Sequence, residues 1–190
     1  MSSTNRGIDR HISDYYVTPQ QCIKDFLTTW RADEEIDTTT GYFDPCAGGD
    51  TAHAMSYPTV LANDFGIYTD TMDIREDSLA DEKVDYLTTD VQHRKYKVII
   101  TNPPFFLAKE IIEKALADVA DNGYVVMLLR LNFFGSQARK QFLQENMPER
   151  VYVHSKRIGF TDDGKTDSIE YMHAVWRKGY TPDFTKLKII

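Results

Sequence analysis

The chain carries only two cysteines, Cys22 and Cys46, among its 190 residues. They make neither a disulfide framework nor a CxxC or Cys/His zinc spacing, so the sequence points to a reducing compartment and to no metal. Long apolar runs are missing as well. The longest, Tyr124 to Leu129 with Leu131 after Arg130, falls far short of the ~20 residues of a membrane helix. Residues 1–30 show no signal-peptide pattern, and a cytoplasmic protein without a membrane partner is expected. Basic residues are in deficit: 22 Lys and Arg face 29 Asp and Glu, a net charge of −7. Taken alone this opposes nucleic-acid binding, which Lys and Arg drive by releasing counterions. The deficit is uneven. Residues 1–128 hold 11 basic against 22 acidic side chains, whereas residues 129–190 hold 11 against 7, so a polyanion would meet the C-terminal third. Internal repeats, low-complexity segments and linkers are also lacking, and one domain over residues 1–190 is expected.

What is present suits a sizeable core: 42% of residues are apolar and 12% aromatic. Short apolar or β-branched runs recur at Tyr42-Phe43, Thr59–Ala62, Val98–Thr101 and Tyr124–Leu129. Runs of this length between turn residues read as strands buried on both faces, the mark of a parallel sheet covered by helices. Thr18 as N-cap with Pro19 at the first helical position opens a helix to about Trp30. Leu107, Ile111, Ile112, Ala115, Leu116 and Val119 recur at helical spacing, and a third helix is expected over Gln137–Glu145. Arg150–His154 and Tyr171–Arg177 read as strands separated by the polar loop Ser155–Glu170, forming an antiparallel end to the sheet. The expected fold is therefore α/β, Rossmann-like and doubly wound, mostly parallel with an antiparallel end strand.

In open α/β sheets the ligand lies beyond the carboxyl ends of the strands, so the residues after each apolar run are the candidates. Asp44-Pro45-Cys46-Ala47-Gly48-Gly49-Asp50 follows the first run, with two glycines for a tight turn and an aspartate suited to a positively charged ligand. Neither GxGxxG nor GxxxxGKS occurs, so dinucleotides and nucleoside triphosphates are not indicated. Asp64 lies 16 residues past Gly48, near the ~20-residue spacing at which a carboxylate meets ribose hydroxyls. Asp90, after Asp85–Thr89, is a third carboxylate able to accept from an adenine amino group. A surface acid is the plain alternative for both. Asn102-Pro103-Pro104-Phe105-Phe106 closes Val98–Thr101. Two prolines remove two donors and lock φ, which stiffens the strand end and aims the Asn102 amide and the Pro103 carbonyl outward as two acceptors for an amino group. Phe105 adds a face for a planar group, with helix-start packing as its ordinary alternative.

Asp44–Asp50 together with Asn102–Phe105 resembles the paired signature of S-adenosylmethionine-dependent amino-group methyltransferases, particularly DNA N6-adenine methyltransferases. Asp14–Pro19 resembles the segment that precedes the cofactor motif there, with Tyr16 and Thr18 at the methionine part of the cofactor. Lys156–Thr161 through Gly164–Asp167, then Tyr171–Trp176, is similar to the closing segment of bacteriophage-type DNA adenine methylases. The resemblance spans roughly residues 14–177. It implies S-adenosylmethionine as cofactor, over Asp44, Pro45, Cys46, Ala47 and Gly48, with Asp44 near the methionine amino group, Asp64 at the ribose and Asp90 at the adenine. It implies Asn102, Pro103, Pro104 and Phe105 as catalytic residues acting on adenine N6 of DNA. Phe160 is then a second stacking residue, or a core residue. Lys156, Arg157 and Lys165, with Arg130, Arg139 and Lys140, follow the ends of the later strands or lie in the polar loop and are expected as phosphate contacts, with ordinary solvated side chains as the plain alternative. NPP(F/Y) is shared with RNA and protein-glutamine methyltransferases, so RNA is the runner-up substrate and protein the third. A catalytically silent cofactor-binding subunit is the non-enzymatic alternative. The chain has no room for an added target-recognition domain, so base selection is relaxed, confined to Ser155–Glu170, or delegated to a partner subunit or a second copy.

Overall fold

The computed structural model describes residues 16–36, 39–160, 166 and 168–190. Their strands form one eight-stranded sheet: β1 (Tyr42–Asp44), β2 (Thr69–Asp73), β3 (Glu82–Lys83), β4 (Val98–Thr101), β5 (Tyr124–Arg130), β6 (Arg150–Val153), β7 (Tyr171–Arg177) and β8 (Lys186–Ile189), in the order β3-β2-β1-β4-β5-β7-β6-β8. All neighbours are parallel except β7, which runs antiparallel to both β5 and β6. The expected antiparallel pairing is there, with its strand third from the edge and the short exposed β8 outermost. The helices are α1 (Gln20–Asp33), α2 (Ser56–Phe65), α3 (Ala108–Asp118) and α4 (Lys140–Glu145). No helix among the described residues is long and apolar enough to cross a membrane.

Alternation along the central strands builds two cores. Tyr42, Val98, Ile100, Val126 and Val175 face Ile23, Phe26, Leu27 and Trp30 of α1 and Tyr57, Val60 and Leu61 of α2. Phe43, Ile99, Val125, Met127 and Leu129 face Ile111, Ile112 and Ala115 of α3 and Phe142 and Leu143 of α4. A strand with helices on both faces must be apolar on both, which is why β4 and β5 read as unbroken apolar runs.

Three expectations change. Thr59–Ala62 is not a strand but the middle of α2: Tyr57, Val60 and Leu61 form one buried helical stripe. That helix stops at Gly66, whose φ of 66° gives a left-handed cap, with the Gly66 N–H bonded to Ala62 O and the Ile67 N–H to Leu61 O. The strand beside β1 is instead Thr69–Asp73, polar in sequence yet largely buried. Thr18 makes no cap bond to α1, whose N-cap position is Pro19; its hydroxyl serves the cleft described below. The helix expected over Gln137–Glu145 divides into a 3₁₀ turn, Gln137–Arg139, followed by α4.

Candidate active site

A cleft opens at the carboxyl ends of β1, β2 and β4. Its floor is the turn after β1. Asp44 is 1% exposed; its Oδ1 accepts the Cys46 N–H at 3.1 Å, and its Oδ2 is buried without a partner. Burial pushes its carboxyl up to about 7, opposed by the nearby Thr101 hydroxyl and the Cys46 N–H and reinforced by the Asp73 carboxylate. Gly48 and Gly49 turn the chain with φ of 66° and 74°, the left-handed region that glycine enters freely. The end of β2 ties this turn down. The Gly48 N–H donates to Asp73 Oδ2 and the Arg75 N–H to Asp73 Oδ1, each at 2.8 Å, while Arg75 Nη2 donates to Gly49 O at 3.0 Å.

The turn is also tightly packed. A Cβ on Gly49 would stand 2.8 Å from Met55 Cγ and 3.1 Å from the Met55 backbone nitrogen. With about 1–2 kcal/mol for a left-handed non-glycine residue alone, Gly49→Ala should lower the melting temperature by about 4 °C or more. Thermal unfolding by circular dichroism checks this, and an unchanged midpoint removes the argument for a locked turn.

Opposite the turn stands the end of β4. Asn102 Nδ2 donates to Thr18 Oγ1 at 3.0 Å and reaches Tyr16 O at 3.5 Å. A carbonyl only accepts, so the Tyr16 oxygen fixes which end of the amide is NH₂. Asn102 Oδ1 is then left buried with no partner. Beside it lies an aromatic group: the Phe160 ring centroid is 4.9 Å from Tyr171 and 5.9 Å from Tyr16, and Phe105 is 5.8 Å from Tyr171 with the Arg130 guanidinium 4.4 Å over its face.

Among the residues named from the sequence, Tyr16, Thr18, Asp44, Pro45, Cys46, Ala47, Asn102 and Pro104 line this one cleft. Gly48 and Pro103 are buried alongside it, and Phe105 and Phe160 belong to the adjoining aromatic group. Asp64 and Asp90 are not in the cleft. Asp64 lies exposed in the last turn of α2, paired with Lys24, because the strand that was to carry it is a helix. Asp90 is exposed and its Oδ1 accepts the Gln92 N–H at 3.1 Å. Two other carboxylates line the cleft, Asp73 at the end of β2 and Asp85, whose Oδ1 accepts the Leu87 N–H at 2.9 Å and starts the 3₁₀ turn Tyr86–Thr88. Ile74 and Leu87 line it beside them. The signal for Asp73 is its place at the end of a strand, and the threonines of that strand hide it in the sequence. Of the basic residues, Lys156, Arg157 and Lys140 are exposed, with Arg157 Nη2 3.9 Å from Glu170, whereas Arg139 is held by Phe133, whose carbonyl accepts its Nε–H at 2.8 Å. Lys165 lies outside the described residues.

No family model and no curated protein sequence matches the chain. Solved structures do. A Listeria monocytogenes protein assigned as a class I S-adenosylmethionine-dependent methyltransferase superimposes with a TM-score of 0.65 at 13% identity, over 98% of this chain and 68% of that one. A type I restriction-modification methyltransferase subunit from Streptococcus thermophilus gives 0.64 at 14% identity, over 92% of this chain, which spans 47% of the subunit. An RNA methyltransferase from Salinibacter ruber, crystallised with S-adenosyl-L-homocysteine, gives 0.53 at 13% identity, over 88% of this chain and 97% of that one. At such identities the likeness is one of fold, and the fold is the Rossmann-like, mostly parallel α/β sheet of the class I methyltransferases.

Proposed function

We propose that the protein transfers a methyl group from S-adenosylmethionine to an exocyclic amino nitrogen of a nucleic-acid base, adenine N6 of DNA in the first place. One observation carries this reading: Asn102, oriented by Tyr16 O and Thr18 Oγ1, holds an uncommitted buried acceptor beside the cleft. A buried acceptor without a partner is costly, and an amino group satisfies it. S-adenosylmethionine supplies a methyl group on a sulfonium centre. For its binding, the free Oδ2 of Asp44 suits the cofactor's ammonium group, the Asp73 carboxylate its ribose hydroxyls, and Asp85 its adenine amine with Ile74 and Leu87 against the ring. Asp73 and Asp85 replace Asp64 and Asp90 in these roles, because only the former face the cleft.

On the target side, Asn102 Oδ1 and the Pro103 carbonyl accept the two N–H groups of the amine. This draws the nitrogen lone pair out of ring conjugation and toward the methyl carbon. No strong base is needed, because the proton leaves to water after transfer. A base stacked in a duplex cannot reach this acceptor, so it must be flipped, and Phe105, with Arg130 on one face, and Phe160 are its stacking surfaces. The Arg157–Glu170 pair is exposed on both sides and worth little, so Arg157 is free to exchange Glu170 for a phosphate. Recognition of a sequence by a partner subunit accords with the Streptococcus thermophilus neighbour being a subunit. RNA is the second reading, favoured by the Salinibacter ruber neighbour.

The deciding assay is transfer of labelled methyl to duplex DNA, single-stranded DNA, total RNA and cell protein, followed by nucleoside analysis. N6-methyladenine in DNA is expected, and label confined to RNA or protein overturns the choice. On the docking face, neutralising Lys156 and Arg157 together should lower the slope of log affinity against log salt by about two units. Phe160→Ala should instead slow turnover with the slope unchanged, since stacking contributes about 1–3 kcal/mol per base without releasing ions. A double variant that binds DNA like the parent at every salt concentration places the nucleic acid elsewhere.

A further inference from the structure

Behind the cleft, three side chains from distant parts of the sequence converge. Cys22 lies on α1, His154 directly after β6 and His173 in the middle of β7. Cys22 Sγ stands 3.4 Å from His154 Nε2, and His154 Nε2 stands 2.8 Å from His173 Nδ1. The three potential ligand atoms lie within 4.8 Å of one another. His173 is fully buried, with its ring stacked 4.0 Å from Phe26 and its Nε2 2.8 Å from the Tyr57 hydroxyl. We propose that Cys22 Sγ, His154 Nε2 and His173 Nδ1 form a binding site for a transition-metal ion of zinc(II) type, with water as fourth ligand. The proposal is independent of the methyltransferase reading.

Geometry and ligand chemistry both support it. With metal–sulfur bonds near 2.3 Å and metal–nitrogen bonds near 2.0–2.1 Å, ligand atoms of a tetrahedral zinc site stand about 3.3–3.6 Å apart. The Cys22–His154 separation already falls there. The shorter His154–His173 separation is that of an N–H···N hydrogen bond and must open by about half an ångström when an ion replaces the shared proton. One thiolate with two imidazoles is a donor set for zinc and its neighbours rather than for calcium or magnesium, which take oxygen. Tyr57 plays the outer part: by accepting from His173 Nε2–H it leaves the Nδ1 lone pair turned toward the ion. Because Phe26 and the strand backbone hold His173 in place, little ordering is needed on binding.

The proton count closes without a redox step. With Cys22 a thiol and the His154–His173 contact a single N–H···N hydrogen bond, the ligand-free cluster holds one proton on sulfur and one between the rings. On ligation the S–H proton passes to solvent, since a coordinating thiol is deprotonated outright. The proton between the rings moves to the outer nitrogen of whichever ring held it. One proton is therefore released per ion.

Cobalt(II) titration of the metal-stripped full chain tests this. Expected are one equivalent bound, visible bands of tetrahedral intensity with a thiolate-to-cobalt charge-transfer band in the near ultraviolet, loss of both on adding zinc(II), and one proton released per ion. Cys22→Ser should abolish the charge-transfer band while Cys46→Ser keeps it. Should Cys22→Ser fail to fold, His154→Gln serves in its place and should lose the tetrahedral bands. Absence of those bands in the parent, or their survival unchanged in the folded variants, overturns the site.

Discussion

Asn102→Ala should abolish methyl transfer for practical purposes, with kcat down roughly a hundred- to a thousandfold, the scale found when a preorganised polar group facing the reacting atom is deleted. Affinity for S-adenosylmethionine should stay within a few-fold, because the amide acts on the target nitrogen. The Asn102 Nδ2 group is held by Tyr16 O and Thr18 Oγ1 of the segment before α1, so its acceptor is oriented before any substrate arrives. Removing a support rather than the acceptor should matter less. Thr18→Val keeps the acceptor and loses one anchor, and a loss of roughly two- to tenfold is expected, since one ordinary hydrogen bond contributes about 0.5–1.5 kcal/mol. The measurements are single-turnover transfer of labelled methyl and calorimetric titration with the cofactor. Near-normal turnover in Asn102→Ala would sink the mechanism. Intact binding with no turnover in the parent on any nucleic acid or protein would favour a silent cofactor-binding subunit.

The parts of the fold that were legible in the sequence are those where burial on both faces demands apolar residues. Val98–Thr101 and Tyr124–Leu129 fall in that class and are β4 and β5. Thr69–Asp73 was not legible because its burial is managed by local hydrogen bonds: Thr71 Oγ1 donates to Asp81 Oδ2 at 2.7 Å and accepts the Asp81 N–H at 2.9 Å. A polar strand satisfied in this way leaves no apolar pattern to read. Thr59–Ala62 misled for the complementary reason, since a four-residue apolar run suits a strand and a helix stripe alike, and only the Gly66 cap and the helical burial pattern decide.

Legibility of the cleft follows from the same distinction. Asp44 ends β1 and Asn102 directly follows β4, strands that the sequence reveals, and stiff or tight neighbours, Gly48-Gly49 and Pro103-Pro104, fix their direction. Asp73 owes its place to the parallel register of β2 beside β1, in which Thr71 stands against Asp44, and Asp85 to that of β3 beside β2. Without β2 no spacing rule reaches them, and the spacing points instead to Asp64, two residues beyond the apolar run, which does not line the cleft. The Cys22, His154 and His173 cluster lies further still from any local pattern. Its members come from three elements and meet only because α1 packs over β6 and β7.

Asp44 should give a clear pH signature. In the ligand-free chain its carboxyl titrates at about 7, above the ordinary value of 3.8, chiefly because burial penalises the charge. A folded-state value above the unfolded one means the favourable contribution to stability is complete below the unfolded value and is lost as pH rises through about 7. Asp44→Asn, which carries no charge, should therefore melt higher than the parent at pH 8.5, with a smaller advantage at pH 5 and none below about 3.8. Cofactor binding should run the opposite way. The ammonium group requires the ionised carboxylate, so the parent's affinity should fall by about tenfold per pH unit below 7, while Asp44→Asn should be flat across that range. At pH 8 the variant should bind roughly ten- to a hundredfold more weakly, the worth of a charge-assisted hydrogen bond at about 1.5–3 kcal/mol. Melting curves and cofactor titrations at pH 5, 6, 7, 8 and 8.5 separate two cases. If stability follows the expected course but affinity is the same in parent and variant at every pH, Asp44 is a strained buried acid that does not meet the ammonium group. If both follow it, the turn after β1 trades ligand-free stability for a charge that the cofactor neutralises.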